Sequence, residues 1–321
     1  MTFPLGDWVL DHPDVPHNLA LSGMKGSVRT LRRALRARPP PDLDVLRARL
    51  GRLHGAAADR VFMTHGATES NGLILRFLAA RLGRGPRAVR LFTPRPEYPP
   101  IRDAGEVAGF RPVDRLEDAE VVALSSPRNP LGTRVAREEL REFAEAGRPV
   151  LVDQTFREFT DDPAVTRGGA SNVWLSGSFT KVYGADDIRV GYAIAPTGAI
   201  GEFSRWHALL LDRLPPPSVS AALAILAHRS ELLAEVRGIF RTNLRYLHSQ
   251  VDGVPDLASP VWFDRGTRGL DGDRLSRVLL RAGVLVCSGS FFREPRGIRL
   301  TLTRRSFPAD LDAYLRVVER D

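Results

Sequence analysis

From about residue 60 onward, short apolar runs alternate with longer stretches of helical period. Residues 60–64 (RVFMT), 88–92 (AVRLF), 121–124 (VVAL), 150–152 (VLV), 173–175 (VWL) and 190–195 read as short buried strands. Between them, residues 66–82 place Leu73, Ile74, Phe77, Leu78 and Leu82 on one helical face, with Gly83 as a stop. Residues 136–146 repeat the arrangement with Leu140 and Phe143 inward and Gly147 at the end. Strands that are apolar on both faces and separated by helices predict a mostly parallel sheet with helices on either side. Ligands of such sheets sit beyond the carboxyl ends of the strands, so the residues that follow each strand carry the interest.

The pattern changes after about residue 198. Residues 199–214 read as a helix, the prolines 215–217 as its break, and residues 220–251 as one or two long helices. Short strands at 284–287 and 298–302 and a final helix at 308–320 complete the chain. The expected organisation is an α/β chain with a large domain at 41–200, a small α+β domain at 201–321, and an N-terminal segment, 1–40, that belongs to the small domain and covers the site. With 321 residues the chain can bury a core in both parts.

No run approaches the length of about 18 apolar residues that spans a membrane, and the first residues show no basic and apolar regions of a secretory signal. A single cysteine, Cys287, excludes an internal disulfide and fits a cytoplasmic setting. The formal net charge of +8 is spread along the chain without a block of like charges or a DNA-binding motif, so nucleic acid is not an expected partner. The histidines show no metal-ligand spacing. Composition is sharper at one point. Of 46 basic residues only Lys25 and Lys181 are lysines. Arginine can serve a surface as well as lysine, but a guanidinium cannot form a Schiff base because it does not deprotonate. A lysine in such a chain is a candidate for chemistry.

Six places after predicted strands could carry that chemistry. His65-Gly66-Ala67-Thr68-Glu69 lies between strand and helix start, where free N–H groups suit a phosphate; a plain helix cap is the alternative. Ser178-Phe179-Thr180-Lys181 and Arg189 could complete a dianion cradle beside a reactive amine. Asp153 could face a pyridine nitrogen and keep it protonated, or could simply cap a helix. Asn129, in Asn129-Pro130-Leu131-Gly132, could donate to a ring oxygen or form an ordinary turn. Tyr98 could stack on a flat ring. Arg299 lies within an apolar strand and needs a partner, either a substrate carboxylate or an internal ion pair.

In order and placement this set resembles the aspartate-aminotransferase superfamily, the fold-type I pyridoxal-phosphate (PLP) enzymes of classes I and II, and within it the histidinol-phosphate aminotransferase branch. The resemblance covers about residues 45–196 and 280–303, and rests on Ser178-x-x-Lys181 with Arg189 and on Asn129-Pro-x-Gly followed by Asp153. It implies a PLP-dependent transferase fold and an enzyme acting at the α-carbon of an amino acid, most simply an aminotransferase passing the amino group to a 2-oxo acid. It implies that Lys181 forms the Schiff base and moves the α-proton, that Asp153 pairs with the ring nitrogen and that Tyr98 stacks on the ring; these three are the expected catalytic residues. Gly66, Ala67, Thr68, Ser178 and Arg189 would hold the phosphate with Thr180 beside them. Asn129 would reach the ring oxygen and border the substrate, Arg299 would bind the α-carboxylate, and Gly23 would cover it. The resemblance also implies a homodimer.

The chain departs from the family at Phe156, where a tyrosine usually bonds the cofactor's ring oxygen. No counterpart of the partner subunit's phosphate-binding tyrosine stands in residues 26–45, and the chain is short for the family. These departures keep decarboxylation, elimination, replacement, cyclisation or oxidation on the same fold as alternative reactions. Lys25 reads as a solvated lysine or as a substrate-side contact.

Overall fold

The computed structural model describes all residues except 1–3, 37, 84–86, 145–146, 161–170, 212, 267–270 and 320–321. Its strands are β1 (His17–Asn18), β2 (Val61–Thr64), β3 (Arg90–Phe92), β4 (Arg111–Val113), β5 (Val121–Ser125), β6 (Val150–Asp153), β7 (Val173–Ser178), β8 (Gly191–Ile194), β9 (Val261–Asp264), β10 (Val284–Leu285), β11 (Cys287–Ser288) and β12 (Ile298–Thr301). Its α-helices are α1 (Pro4–Leu10), α2 (Thr30–Ala34), α3 (Leu43–His54), α4 (Ala67–Leu82), α5 (Pro99–Val107), α6 (Arg137–Ala144), α7 (Thr180–Tyr183), α8 (Ile200–Leu210), α9 (Pro216–Ala227), α10 (Arg229–Gln250), α11 (Gly272–Arg281) and α12 (Phe307–Val318).

The central sheet has the order β2-β8-β7-β6-β5-β3-β4. Pairing is parallel from β7 to β4, whereas β8 runs antiparallel to both β2 and β7. Successive side chains of a strand point to opposite faces, and the two faces build two cores. Val122, Leu124, Val150 and Val152 belong to one, together with Leu46 of α3, Ala222 of α9 and Val236 of α10. Val121, Ala123 and Leu151 belong to the other, with Phe77 of α4, Ile101 of α5 and Phe203 of α8. The expected sheet covered on both faces is thus observed. Two smaller sheets accompany it: antiparallel β11-β12-β9 and the parallel pair β1-β10, through which the N-terminal segment meets residues 284–285.

Several boundaries differ from the sequence reading. The strand expected at 88–92 is confined to β3, and the helix expected at 199–214 to α8, with residue 212 outside the described residues. The prolines 215–217 do not merely interrupt: Pro216 opens α9, because a first helical turn has no use for the N–H that proline lacks. The stretch 220–251 divides at His228 between α9 and α10. The single strand expected at 284–287 is two, with β10 pairing to β1 and β11 to β12. Residues 145–146 and 320, the ends of two expected helices, lie outside the described residues. The sequence reading did not draw α3, α5 or α11. Asp42 starts α3 by accepting from Val45 N, and Gly55 ends it in the left-handed conformation.

Candidate active site

Strand direction gathers the site. The parallel strands β5, β6 and β7 end at Ser125, Asp153 and Ser178, on one edge of the sheet. Because β8 is reversed, its first residue, Gly191, sits at that same edge, opposite both Ser178 and Thr64. Arg189, two residues before it, and the start of α4 after β2 therefore arrive together. A pocket opens there, and Gly66, Ala67, Thr68, Tyr98, Asn129, Asp153, Phe156, Ser178, Thr180, Lys181 and Arg189 all line it.

At one end, Gly66 precedes α4 with φ of 145°, a conformation side chains rarely adopt. A methyl group on Gly66 would stand 3.1 Å from Arg189 Nη2, and one on Gly191 would stand 2.5 Å from Gly66 Cα. Two glycines thus let the helix start, β8 and the guanidinium close around a space that a Cβ would fill. Ser178 Oγ and Thr180 Oγ1 are hydrogen-bonded at 2.8 Å beside it. Free helix N–H groups, two hydroxyls and an arginine form a donor set that matches a phosphate dianion.

Asp153, in the same lining, is buried. Its Oδ2 accepts from Asn71 Nδ2 at 2.8 Å and its Oδ1 from Thr155 N at 2.8 Å. Burial raises its pKa, and these bonds act against the rise. Asn129 donates its backbone N–H to Ser125 Oγ at 2.9 Å and accepts from Arg299 Nη1 through Oδ1 at 3.4 Å, which leaves Nδ2 as its side-chain donor. Phe156 gives the wall an apolar ring and no hydroxyl; it packs against Phe159 at 5.9 Å. The Tyr98 hydroxyl is pushed up to about 12 by burial, with the Arg299 charge opposing.

Lys181 lies in the first turn of α7 and lines the same pocket. Burial lowers its pKa, Asp186 counteracts this, and the Arg299 and Arg189 charges add to the lowering. Gly23 crosses over it: a methyl there would stand 3.4 Å from Lys181 Cδ, and Met24 N donates to Lys181 O at 2.9 Å.

Arg299 is not in the pocket wall but behind Asn129. It is 2% exposed, and no carboxylate of the described residues pairs with it. Nη2 donates to Ala20 O at 2.5 Å and contacts Cys287 Sγ at 3.1 Å, while Nε is buried without a hydrogen-bond partner. Lys25 is exposed and pairs with Asp187 at 3.0 Å, away from the pocket wall. Among the described residues no helix is long and apolar enough to cross a membrane, and no cluster of His, Cys, Asp and Glu could hold a metal ion.

Sequence reasoning did not single out Asn71, Ser176, Ser125, Asp186 or Gly191. Asn71 had a signal: a polar residue on the inward face of a helix, which must find buried partners. Ser176 supplies one, its Oγ donating to Asn71 Oδ1 at 2.5 Å.

Residues 112–306 match the family model for aminotransferases of class I and II. An aromatic amino acid aminotransferase of Streptomyces avermitilis is 30% identical over 284 residues, covering 79% of this chain and 74% of the relative. A histidinol-phosphate aminotransferase of Rhodococcus jostii is 28% identical over 320 residues, 89% of this chain and 81% of its own. The crystal structure of a PLP-dependent aminotransferase from Streptococcus suis superposes with a TM-score of 0.83 at 18% identity, covering 100% of this chain and 98% of that one, which shows a shared fold.

Proposed function

This chain belongs to the family of class I and II aminotransferases, PLP-dependent enzymes of amino-acid metabolism, and on that premise we propose which of its residues hold the cofactor and move the amino group. The observation that carries the proposal is the meeting, in one pocket, of a partly desolvated lysine, a buried carboxylate and an arginine beside a helix start. When bound, PLP supplies an electron sink for charge that develops at the α-carbon of an amino substrate.

Lys181 Nζ would hold the cofactor at its aldehyde. Its lowered pKa keeps more of the amine neutral, and so reactive, than a solvated lysine would have. The same amine would take and return the proton at the substrate α-carbon as a general base and acid. Asp153 would hold a proton on the ring nitrogen, and Asn129 Nδ2 would donate to the ring oxygen. Phe156 adds no donor there. Gly66, Ala67, Thr68, Ser178 and Arg189 hold the phosphate, with Thr180 steadying Ser178. Tyr98 packs on the ring face. Arg299 takes the α-carboxylate once it is exchanged for present partners, and Gly23 closes over it. We assign 41–200 to the large domain, and 1–40 with 201–321 to the part that covers the substrate. The proposal extends to a 2-oxo acid acceptor, a homodimer and a cytoplasmic location.

Purified protein mixed with PLP and then freed of unbound cofactor should keep an absorption band in the near-ultraviolet to visible range, shifted from that of free PLP. Lys181→Ala should lose the shifted band while still binding the phosphate end weakly. A wild-type protein that stays colourless overturns the assignment.

Phe156 supports a second reading, other chemistry at the α-carbon. Incubation with an amino acid and a 2-oxo acid separates the two. Equimolar amino-group exchange supports transfer; release of CO2 or ammonia without exchange supports the alternative.

A further inference from the structure

Glu97 is a carboxylate inside the protein that the proposed chemistry does not use. It is 5% exposed and lies on the loop between β3 and α5, directly before Tyr98. Three donors meet it. Its Oε2 accepts from Ser125 N at 2.8 Å, and its Oε1 accepts from Ser125 Oγ at 2.5 Å and from Tyr98 N at 2.7 Å. Ser125 Oγ in turn accepts from Asn129 N at 2.9 Å. The segments that follow β3 and β5, one carrying Tyr98 and the other Asn129, are thereby joined through a single carboxylate. A buried charge is costly even when hydrogen-bonded, and an apolar side chain would fill the same space without that cost. The bonds it makes all go to backbone and hydroxyl groups that set the pocket wall.

We propose that Glu97 is a positioning residue that locks Tyr98 and Asn129 into one unit, so that ring face and ring oxygen are held in fixed relation. Because both are proposed cofactor contacts, this role rests on the function proposed above. A pH dependence follows from the same geometry. Burial pushes the Glu97 carboxyl up to about 7 against its hydrogen bonds to Ser125 and Tyr98. Among the described residues the charged side chain acting on it is Arg128, itself paired with Glu139; Tyr98, at about 12, is neutral throughout. Protonation turns one carboxyl oxygen from acceptor into donor. The backbone N–H groups of Ser125 and Tyr98 cannot accept that hydrogen, and Ser125 Oγ can accept it only by turning its own hydrogen away from Glu97, so a bond must be given up or rearranged. The unit is tight above neutral pH and loosens below it.

The test reads how the cofactor is held rather than turnover. Visible circular dichroism per bound PLP and the PLP dissociation constant are measured at about pH 8.5 and about pH 6, either side of the carboxyl's titration. Wild type should show stronger dichroism and tighter binding at the higher pH. Glu97→Gln sets an amide N–H2 against donors, so the dissociation constant should rise about tenfold at the higher pH, and the difference between the two pH values should shrink. A folded Glu97→Gln with wild-type affinity and dichroism at both pH values overturns the proposal. If that variant does not fold, Ser125→Ala decides. It removes one donor to Glu97 and the acceptor of Asn129 N, and unchanged dichroism in it is equally fatal. A wild-type protein that binds no PLP at all defeats the proposed function, a result distinct from a loaded wild type whose variants are unaffected.

Discussion

In its proposed role Asp153 must keep a negative charge in a place that disfavours it, and the Asn71 amide shares that task with Thr155. Asn71 Nδ2 donates to its Oδ2 at 2.8 Å, and Ser176 Oγ occupies Asn71 Oδ1, so the amide has one way to face. A hydrogen bond to a charged group contributes about 1.5–3 kcal/mol. Asn71→Ala should therefore weaken PLP binding about 10- to 100-fold. The sign of the pH effect follows. Burial already raises the Asp153 pKa, and losing Asn71 raises it further. The ionised carboxylate is present above its folded pKa and lost as pH falls through it, so binding by the variant should fail at a higher pH than in wild type. Titration of PLP across pH checks this; parallel curves would remove Asn71 from the site. At this scale the sequence was informative wherever a residue type was scarce or a motif was spaced. Lys181 stood out as one of two lysines, and Asp153, Asn129 and Arg189 by their positions around strands. Asn71 is legible only in part: a polar residue on the inward face of α4 must find buried partners, but the sequence does not say that they stand on β6 and β7. The alternative for Arg299, an internal ion pair, could be set aside only with the structure, since its surroundings come from residues 20, 129 and 287.

Between elements, the decisive fact is the reversal of β8. An apolar run of four to six residues looks the same whether its neighbours run with it or against it, so the sequence could indicate a mostly parallel sheet but not which strand is turned. That reversal delivers Arg189 to the strand ends that carry Asp153 and Ser178. The division of 284–287 between two sheets was illegible for a similar reason: pairing partners at 17–18 and 298–299 are remote in sequence. The helix α3 docks on β8 through His54, which is fully buried and hydrogen-bonded to Tyr192 OH at 2.9 Å. Burial, with the charges of Arg157 and Arg229, lowers its pKa from 6.5 to about 3. Between those values the unfolded chain binds a proton and the native protein does not. Stability from this group is therefore fully present above pH 6.5 and is lost as pH falls toward 3. At about 1.4 kcal/mol per unit the loss is on the order of 4–5 kcal/mol. Glu97 acts in the opposite direction from pH 4.5 to about 7, where the native protein binds the extra proton. Comparing wild type with His54→Gln cancels that contribution. Urea unfolding of the two should show a steeper acid loss in wild type below about pH 6; equal slopes would mean that His54 is protonated in the folded protein.

Across the whole molecule, Arg299 is where distant parts of the chain converge. Its guanidinium contacts Ala20 O in the N-terminal segment, Asn129 Oδ1 after β5 and Cys287 Sγ on β11, and lies 5.3 Å from the centre of the Phe292 ring. Cys287 is directly opposite it across the β11–β12 pair. A buried arginine with a carbonyl, an amide oxygen and a sulfur for company has partners, but none carries the full charge that balances a guanidinium. A substrate carboxylate would supply that charge and accept two parallel N–H bonds. Arg299→Lys keeps the charge and loses the fork, so PLP uptake, for which Lys181, Asp153 and Arg189 are the proposed holders, should be nearly unchanged. The amino-acid dissociation constant, read from the spectrum of the bound cofactor, should rise about 10- to 100-fold, the equivalent of one lost charge-assisted bond. An amine of the same skeleton without the α-carboxylate should bind wild type and variant alike, because it never engages the fork. That comparison separates recognition from architecture. If Arg299 served chiefly to tie the N-terminal segment to β12, the variant would weaken amine and amino acid equally and would also lower the melting temperature.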